Sequence, residues 1–288
     1  MPHKPTISII GPGNLAGVLA SALRAAGYVI EEVVARDLPA SRRRARELAR
    51  RVGARPAVLG RARLESRIVW ICVSDDAIAP TARALAQATD WRSKIALHSS
   101  GALGSEELAP LRRRGAAIAS LHPMMTFVPN SRPSLAGVAF AVEGDAAAVR
   151  VARRIACDLK GDVFTIRPQA KALYHAVGSF SSPMVVATLA TAERVARAAG
   201  IPRAQTEKMI RPILRRTLEN YLRHGTAAAF SGPIARADAN TIRKHLEALK
   251  KVPGALAIYL ALARSALRNL PVRDRKAVEK VLQGEARD

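Results

Sequence analysis

Near the start of this chain a glycine-bearing turn joins a short β-branched run to an apolar helix. Residues 6–10 read as a strand, Gly11-Pro12-Gly13-Asn14-Leu15-Ala16-Gly17 as the turn and helix start, and the helix runs to about Gly27. Gly11 permits the tight turn. Gly13 removes a Cβ where a backbone must approach a pyrophosphate, and Ala16 or Gly17 lets the helix pack closely on a sheet. The first free N–H groups of that helix, from Asn14, Leu15 and Ala16, and its positive dipole end suit an anion.

The turn opens a long alternation. Further strands are read at residues 29–35, 56–59, 68–73, 94–98, 117–121, 138–142 and 163–166. Helices are read at 36–51, 77–89, 106–114 and 146–159. The run at 68–73 is apolar throughout, as in a parallel strand buried on both faces. Strands alternating with helices predict a parallel sheet with right-handed crossovers. After Pro168 the pattern is helical only: 170–199, kinked at Pro183, then 206–224, 239–249, 253–267 and a short charged tail from 272. The expected architecture is α/β: an N-terminal Rossmann doubly wound parallel sheet in residues 1–167, followed by an all-α domain in 168–288.

Composition narrows the function. With 46 Lys and Arg against 23 Asp and Glu, the formal net charge is +23. An anionic partner comes to mind, but the charge is mostly arginine spread along helices, as at Arg42, Arg43, Arg44, Arg46, Arg50 and Arg51. There is no zinc-finger spacing and no aromatic-rich RNA-binding strand, so the plainer reading is a solvated surface rather than nucleic-acid binding. Cys72 and Cys157 lack CxxC partners, which speaks against disulfides and structural zinc. No His and acid cluster has metal spacing. The leading segment has no charged-then-apolar signal pattern. No stretch of about eighteen residues is uniformly apolar. A soluble, cytoplasmic protein without membrane contact is expected.

The second strand ends in Ala35-Arg36-Asp37. An acid at a strand end takes the ribose hydroxyls of NAD, whereas Arg36 suits the 2′-phosphate of NADP. Ser41, Arg42 and Arg43 are available from the next helix, and Asp37 retains the option of facing the ribose. Val73-Ser74-Asp75-Asp76 follows the fourth strand, where a loop lies beside the nicotinamide ribose and pyrophosphate. Asp75 or Asp76 can also cap the helix that follows.

Together GPGNLAG, the ARD strand end, VSDDAI, HSSGAL and LHPMMTF resemble the Rossmann-like oxidoreductases that carry the domain of unknown function 2520. Their architecture is similar to pyrroline-5-carboxylate reductase and F420-dependent NADP oxidoreductase. KALYHAVGSFSSP and FSGPIARADANTIRKHLEAL extend the resemblance over nearly the whole chain. It implies an NADP-binding N-terminal domain and a helical domain that pairs in a homodimer. It implies no substrate. Many relatives have Asn where this chain reads Ser179-Phe180-Ser181-Ser182-Pro183, and often Gly where it has Ala237.

A reductase must set a carbonyl or imine carbon against the nicotinamide and protonate the developing alkoxide or amine. Lys171 and His175 are four residues apart, hence on one helix face. Hydroxyacid dehydrogenases and ketopantoate reductase, which the chain resembles in fold, use a Lys at a comparable place. Lys171 is then the proton donor or oxyanion holder and His175 orients the substrate. The plain alternative is a surface Lys and a core-satisfied His. His98-Ser99-Ser100-Gly101 could hold a substrate carboxylate, and His122-Pro123 follows the next strand; structural roles for both histidines stay open. Ser179 and Arg236 are further substrate candidates, and Asp238 or Asn240 is either part of that loop or a helix cap.

The expected function is hydride transfer from NADPH to a small, anionic carbonyl or imine acid, ketopantoate-like or pyrroline-carboxylate-like. F420 or flavin remains open as a redox partner. The alternative is a non-catalytic NADP-binding sensor or scaffold.

Overall fold

The computed structural model describes residues 4–284. Residues 1–3 and 285–288, the beginning of the leading segment and the end of the charged tail, lie outside the described residues. The chain divides between Ser182 and Pro183 into two compact units.

The first unit is built on an eight-stranded sheet in the order β3-β2-β1-β4-β5-β6-β7-β8. The strands are β1 (Ile7–Ile10), β2 (Ile30–Ala35), β3 (Arg55–Val58), β4 (Ile68–Ile71), β5 (Ile95–His98), β6 (Ala117–Pro123), β7 (Ala139–Gly144) and β8 (Asp162–Thr165). Helices α1 (Asn14–Ala25), α2 (Pro39–Val52), α3 (Asp75–Leu85), α4 (Ala109–Arg112), α5 (Ala146–Asp158) and α6 (Lys171–Ser181) complete it. β1 and β4 are wholly buried, which is why their sequences are continuous apolar runs rather than alternating ones. One core joins α1, α2 and α5 to the sheet and a second joins α3 and α4 to it, so the sheet is wound on both sides.

The strands from β3 to β6 are mutually parallel, as expected. β7 departs from the expectation: it pairs antiparallel to β6, with His122 opposite Ala141, and β8 follows β7 in parallel. The cause is the connection. No helix separates β6 from β7, so the chain returns directly, whereas a parallel neighbour needs a crossover.

The expected helix at 106–114 is a 3-10 turn, Ser105–Leu108, followed by the short α4. The expected long helix at 170–199 is two helices, α6 and α7 (Pro183–Ala198), because Ser182 leaves helical geometry just before Pro183.

The second unit is helical: α7, α8 (Arg203–Ala229, interrupted at Gly225), α9 (Pro233–Arg236), α10 (Ala239–Leu249), α11 (Ala255–Asn269) and α12 (Arg275–Gly284). Its core gathers Ile242, Leu246, Ala263, Val278 and Leu282. The charged tail is therefore largely a helix, held by Val278 and Leu282 one turn apart. Asp238 caps α10, its carboxylate accepting from the Thr241 N–H at 3.1 Å. Ala237 ends α9 at φ 58°, a left-handed geometry that glycine takes without strain, which accounts for the glycine of the resembling family. No helix among the described residues is long and apolar enough to cross a membrane.

Candidate functional site

The carboxyl ends of the parallel strands bring the glycine turn, the Ser74 loop and the Ser99–Ser100 loop to one edge of the sheet. Gly11 is wedged between strands: its N–H donates to Val34 O at 2.8 Å, and its φ is +97°. A Cβ there would lie 2.6 Å from Cys72 O and 2.8 Å from Val73 Cγ1. At Gly13 a Cβ would approach only Cys72 O, at 3.9 Å, so the space in front of the turn is open. Gly13 is the N-cap of α1 and lacks a side-chain cap, leaving the first-turn N–H groups for another acceptor. Ala16 is the residue that lets α1 approach the sheet, being fully buried. Gly17 faces Arg51 instead, whose guanidinium donates to Gly17 O at 3.0 Å.

Beside this turn is a cavity of about 260 Å³, lined among others by Gly11, Gly13, Arg36, Ser41, Arg44 and Ser74. It is open, bounded by unhindered helix N–H groups and two guanidiniums, which fits a dinucleotide phosphate. Asp37 does not compete for the site, because its carboxylate pairs with Arg42 at 3.1 Å. Arg43 is drawn towards Glu47 at 3.9 Å. Of the expected α2 contacts only Ser41 lines the cavity, and Arg44 takes the place given to Arg42 and Arg43. The signal for Arg44 was its spacing: three residues beyond Ser41, it shares that face of the helix.

Ser74 is the N-cap of α3, with Asp75 and Asp76 in its first turn where carboxylates suit the dipole. Asp75 also reaches across, accepting from Ser100 Oγ at 2.9 Å.

The Ser99–Ser100 loop spends its side chains on itself. His98 is fully buried. Its Nδ1 accepts from the Ser100 N–H at 3.1 Å, so Nε2 carries the proton and donates to Gly104 O at 3.0 Å. Trp70 Nε1 donates to Ser99 Oγ at 2.8 Å. Ser100 Oγ accepts from the Ala102 and Leu103 N–H groups. The three side chains expected to meet a substrate carboxylate are thus already engaged.

Lys171 and His175 also differ from the plain alternative of a surface Lys and a buried His. Lys171 is fully buried and donates to Ser100 O at 3.0 Å and Ser120 Oγ at 2.8 Å. Burial pulls its ammonium pKa below the ordinary lysine value, with the nearby Glu143 and Asp75 carboxylates opposing. Glu143, on β7, accepts from the Ser105 N–H at 2.7 Å and Ser105 Oγ at 2.8 Å. His175 is exposed. Its ring meets that of His122 edge to face at 5.7 Å, and both rings lie against Gly101, where a Cβ would be 2.4 Å from His175 Cδ2. His122 Nδ1 is 2.9 Å from Tyr174 Oη. Ser179 Oγ donates back to the His175 carbonyl of its own helix, at 3.5 Å. Arg236 lies in the second unit, exposed on α9. Sequence reasoning placed Gly101 in its loop but missed Ser120, Glu143 and Tyr174. Tyr174 precedes His175, but Ser120 and Glu143 carried no local signal.

The imidazoles of buried His98 and half-buried His122 are both neutral. Burial pushes His98 down to about 4 and His122 to about 3, and the Lys171 charge adds to both. An unfolded histidine titrates near 6.5, so on acidification the unfolded chain takes up protons that the fold refuses. Stability is complete above about pH 6.5 and falls towards pH 4, by up to about 1.4 kcal/mol per histidine per pH unit. Trp70 and Trp91 both lie in the first unit, so tryptophan fluorescence follows that unit. Its Tm is expected to drop by roughly 5–10 °C between pH 7.5 and 5. A flat Tm over that range would contradict the neutral assignment.

Residues 2–123 match the family described as a Rossmann-like domain, and residues 138–266 the family described as domain of unknown function (DUF2520). No curated protein matches the sequence. Among solved structures, a protein of Bacteroides fragilis described as a candidate NADP oxidoreductase has a TM-score of 0.77 and 23% identity, over 91% of this chain and 98% of its own. An imine reductase from Myxococcus stipitatus in complex with NADP+ has a TM-score of 0.64 and 20% identity, over 92% and 94%. A reductive aminase from Aspergillus terreus in complex with NADPH and ethyl-5-oxohexanoate has a TM-score of 0.63 and 14% identity, over 96% and 98%. At these identities the likeness is one of fold. The chain thus joins a Rossmann-like domain to a C-terminal DUF2520 domain.

Proposed function

We propose that this chain is an NADPH-dependent reductase acting on a small imine or carbonyl compound. One observation carries this reading: the open glycine turn with Arg36 and Arg44, and the Gly101 loop with His122 and His175, are both built on the carboxyl edge of one sheet. Ligands of such sheets bind at that edge, where the strand order reverses; here that is between β1 and β4. The names of the solved neighbours, an imine reductase with NADP+ and a reductive aminase with NADPH, weigh towards a C=N substrate.

The α1 N-terminus takes the pyrophosphate, and Arg36, Arg44 and Ser41 take the 2′-phosphate. Bound there, NADPH supplies the hydride. His175, exposed beside Gly101, delivers the proton to the substrate nitrogen or oxygen. His122, neutral and tied to Tyr174, orients it. Lys171 is a positioning residue: its ammonium holds the Ser100 carbonyl from inside the unit. A carboxylate on the substrate would face the two imidazoles rather than the engaged hydroxyls of Ser99 and Ser100. The burial of Lys171 is the one feature that favours the second reading, an NADP-binding sensor or scaffold without turnover.

The test is a titration of the chain and its Arg36→Asp variant with NADPH and NADH, followed by nicotinamide fluorescence. NADPH is expected to bind the parent at least about tenfold more tightly than the variant, a difference of about 1.4 kcal/mol, with NADH little affected. Equal binding of both nucleotides by both proteins would remove Arg36 from the site, and no binding would remove the reductase. Turnover of NADPH with an imine or carbonyl panel then separates the enzyme from the sensor.

Exposed apolar side chains support the expected homodimer: Leu173, Val177 and Phe180 on α6, Met184 and Val186 on α7, and Leu222 on α8. Taken unit by unit, large apolar side chains left this exposed are of the kind that a partner covers. A monomeric mass by sedimentation at micromolar concentration would count against pairing.

A further inference from the structure

A second groove, of about 240 Å³, opens beside the glycine turn between α1, α2 and residues 128–132. It shares Pro12, Gly13 and Arg44 with the Arg36 cavity, but Gly11, Arg36, Ser41 and Ser74 do not line it. Its own walls bring Arg51 and Arg132 together with Arg44. Asn14 donates to Phe127 O at 3.2 Å, which ties the segment bearing Arg132 to the start of α1. Arg51 is held by its bond to Gly17 O.

The charge in this groove is net positive, three guanidiniums to one carboxylate. Its carboxylate, Glu47, is the partner of Arg43. Among the described residues no ion pair is found for Arg44, Arg51 or Arg132. Burial and the neighbouring Arg132 charge both lower the Arg51 pKa, as expected of guanidiniums brought close to one another. Like charges this near raise the free energy of the unliganded groove, and a multivalent anion relieves it through charge-assisted, bidentate bonds. Asn130 and Ser131 add neutral polar groups on the same wall.

We propose that this groove is an anion site of its own, taking a diphosphate-class group through Arg51 and Arg132, and that it is filled independently of the cofactor cavity. A diphosphate could come from the cofactor or from a separate ligand, and the two sources predict different behaviour. A separate ligand binds alongside NADPH, whereas the cofactor's own diphosphate excludes it.

Titration calorimetry with inorganic pyrophosphate, on the full chain alone and saturated with NADPH, decides between them. The expected result is one pyrophosphate per chain in both states. Its Kd is expected to weaken at least about tenfold in Arg51→Gln/Arg132→Gln. The charge-preserving Arg51→Lys/Arg132→Lys is expected to fall between the parent and the double Gln variant, because lysine keeps the charge and loses the bidentate fork, and Arg36→Gln to leave the affinity within about twofold. Displacement of pyrophosphate by NADPH would assign the anion to the cofactor's seat and overturn the proposal. Absent binding, or a Kd unchanged in the double Gln variant, would overturn it too. If NADPH itself fails to bind, the reductase reading falls, while the variants on the free chain still decide this one.

Discussion

Gly11→Ala is expected to be the most damaging single substitution in the first unit. At φ +97° a side chain already costs ~1–2 kcal/mol in backbone strain. The new Cβ would also sit 2.6 Å from the Cys72 carbonyl, inside contact distance of backbone that β4 holds rigidly. Overpacking of this kind adds ~1–3 kcal/mol. The turn can escape only by moving away from β4, which carries the N-terminus of α1 with it. NADPH affinity is therefore expected to fall by at least about tenfold, with the Tm of the first unit lowered together. Tryptophan fluorescence melting and nicotinamide fluorescence read the two effects on one preparation. If affinity fell while Tm held, the turn would have more slack than the Cys72 contact allows. Gly13→Ala provides the contrast, since its Cβ meets nothing closer than 3.9 Å: it should spare Tm and disturb nucleotide binding alone.

The second large effect is expected at Lys171. Truncation to alanine leaves a void in a fully buried position and strips a donor from Ser100 O and Ser120 Oγ. Ser120 Oγ still donates to Ser100 O at 3.3 Å, which limits the damage. Relief from burying an ammonium offsets part of it. The net cost is expected to be about 2–4 kcal/mol, a Tm drop of roughly 5–15 °C for a unit of this size. Lys171→Met keeps the volume and removes only the charge. It is expected to melt within a few degrees of the parent, because an apolar isostere avoids the desolvation of the ion. Turnover is expected to fall in Lys171→Met all the same, since the Ser100 carbonyl loses the cation that fixes the loop beneath His175. Full turnover with unchanged pH dependence in that variant would reduce Lys171 to a packing residue.

The line between what was legible and what was not runs through individual residues. Arg36 could be placed because a strand end and its following turn are consecutive in the chain. Arg44 was legible only through its spacing from Ser41, and only once Ser41 is known to line the cavity. The hydroxyls of Ser99 and Ser100 looked free. Trp70, from the neighbouring strand, and Asp75, from the first turn of the helix that follows it, occupy them. The reversal of β7 was hidden because residues 124–138 read as irregular either way. Direction depends on whether a helix intervenes.

By itself the sequence determined the alternation of strands and helices, the glycine turn, the arginine at the end of β2 and the change to helices after the sheet. These depend on periodicity, on backbone freedom at single residues and on neighbours within a few positions. Tertiary structure alone decided that Lys171 is buried and His175 exposed, that His98 is a neutral brace of its loop, and that Arg51 and Arg132 share a groove. Each of these results depends on groups far apart in the chain, Ser120 with Lys171 or Gly17 with Arg51. Burial and hydrogen bonding between such groups are set by how strands pair and helices pack, which the local pattern does not encode.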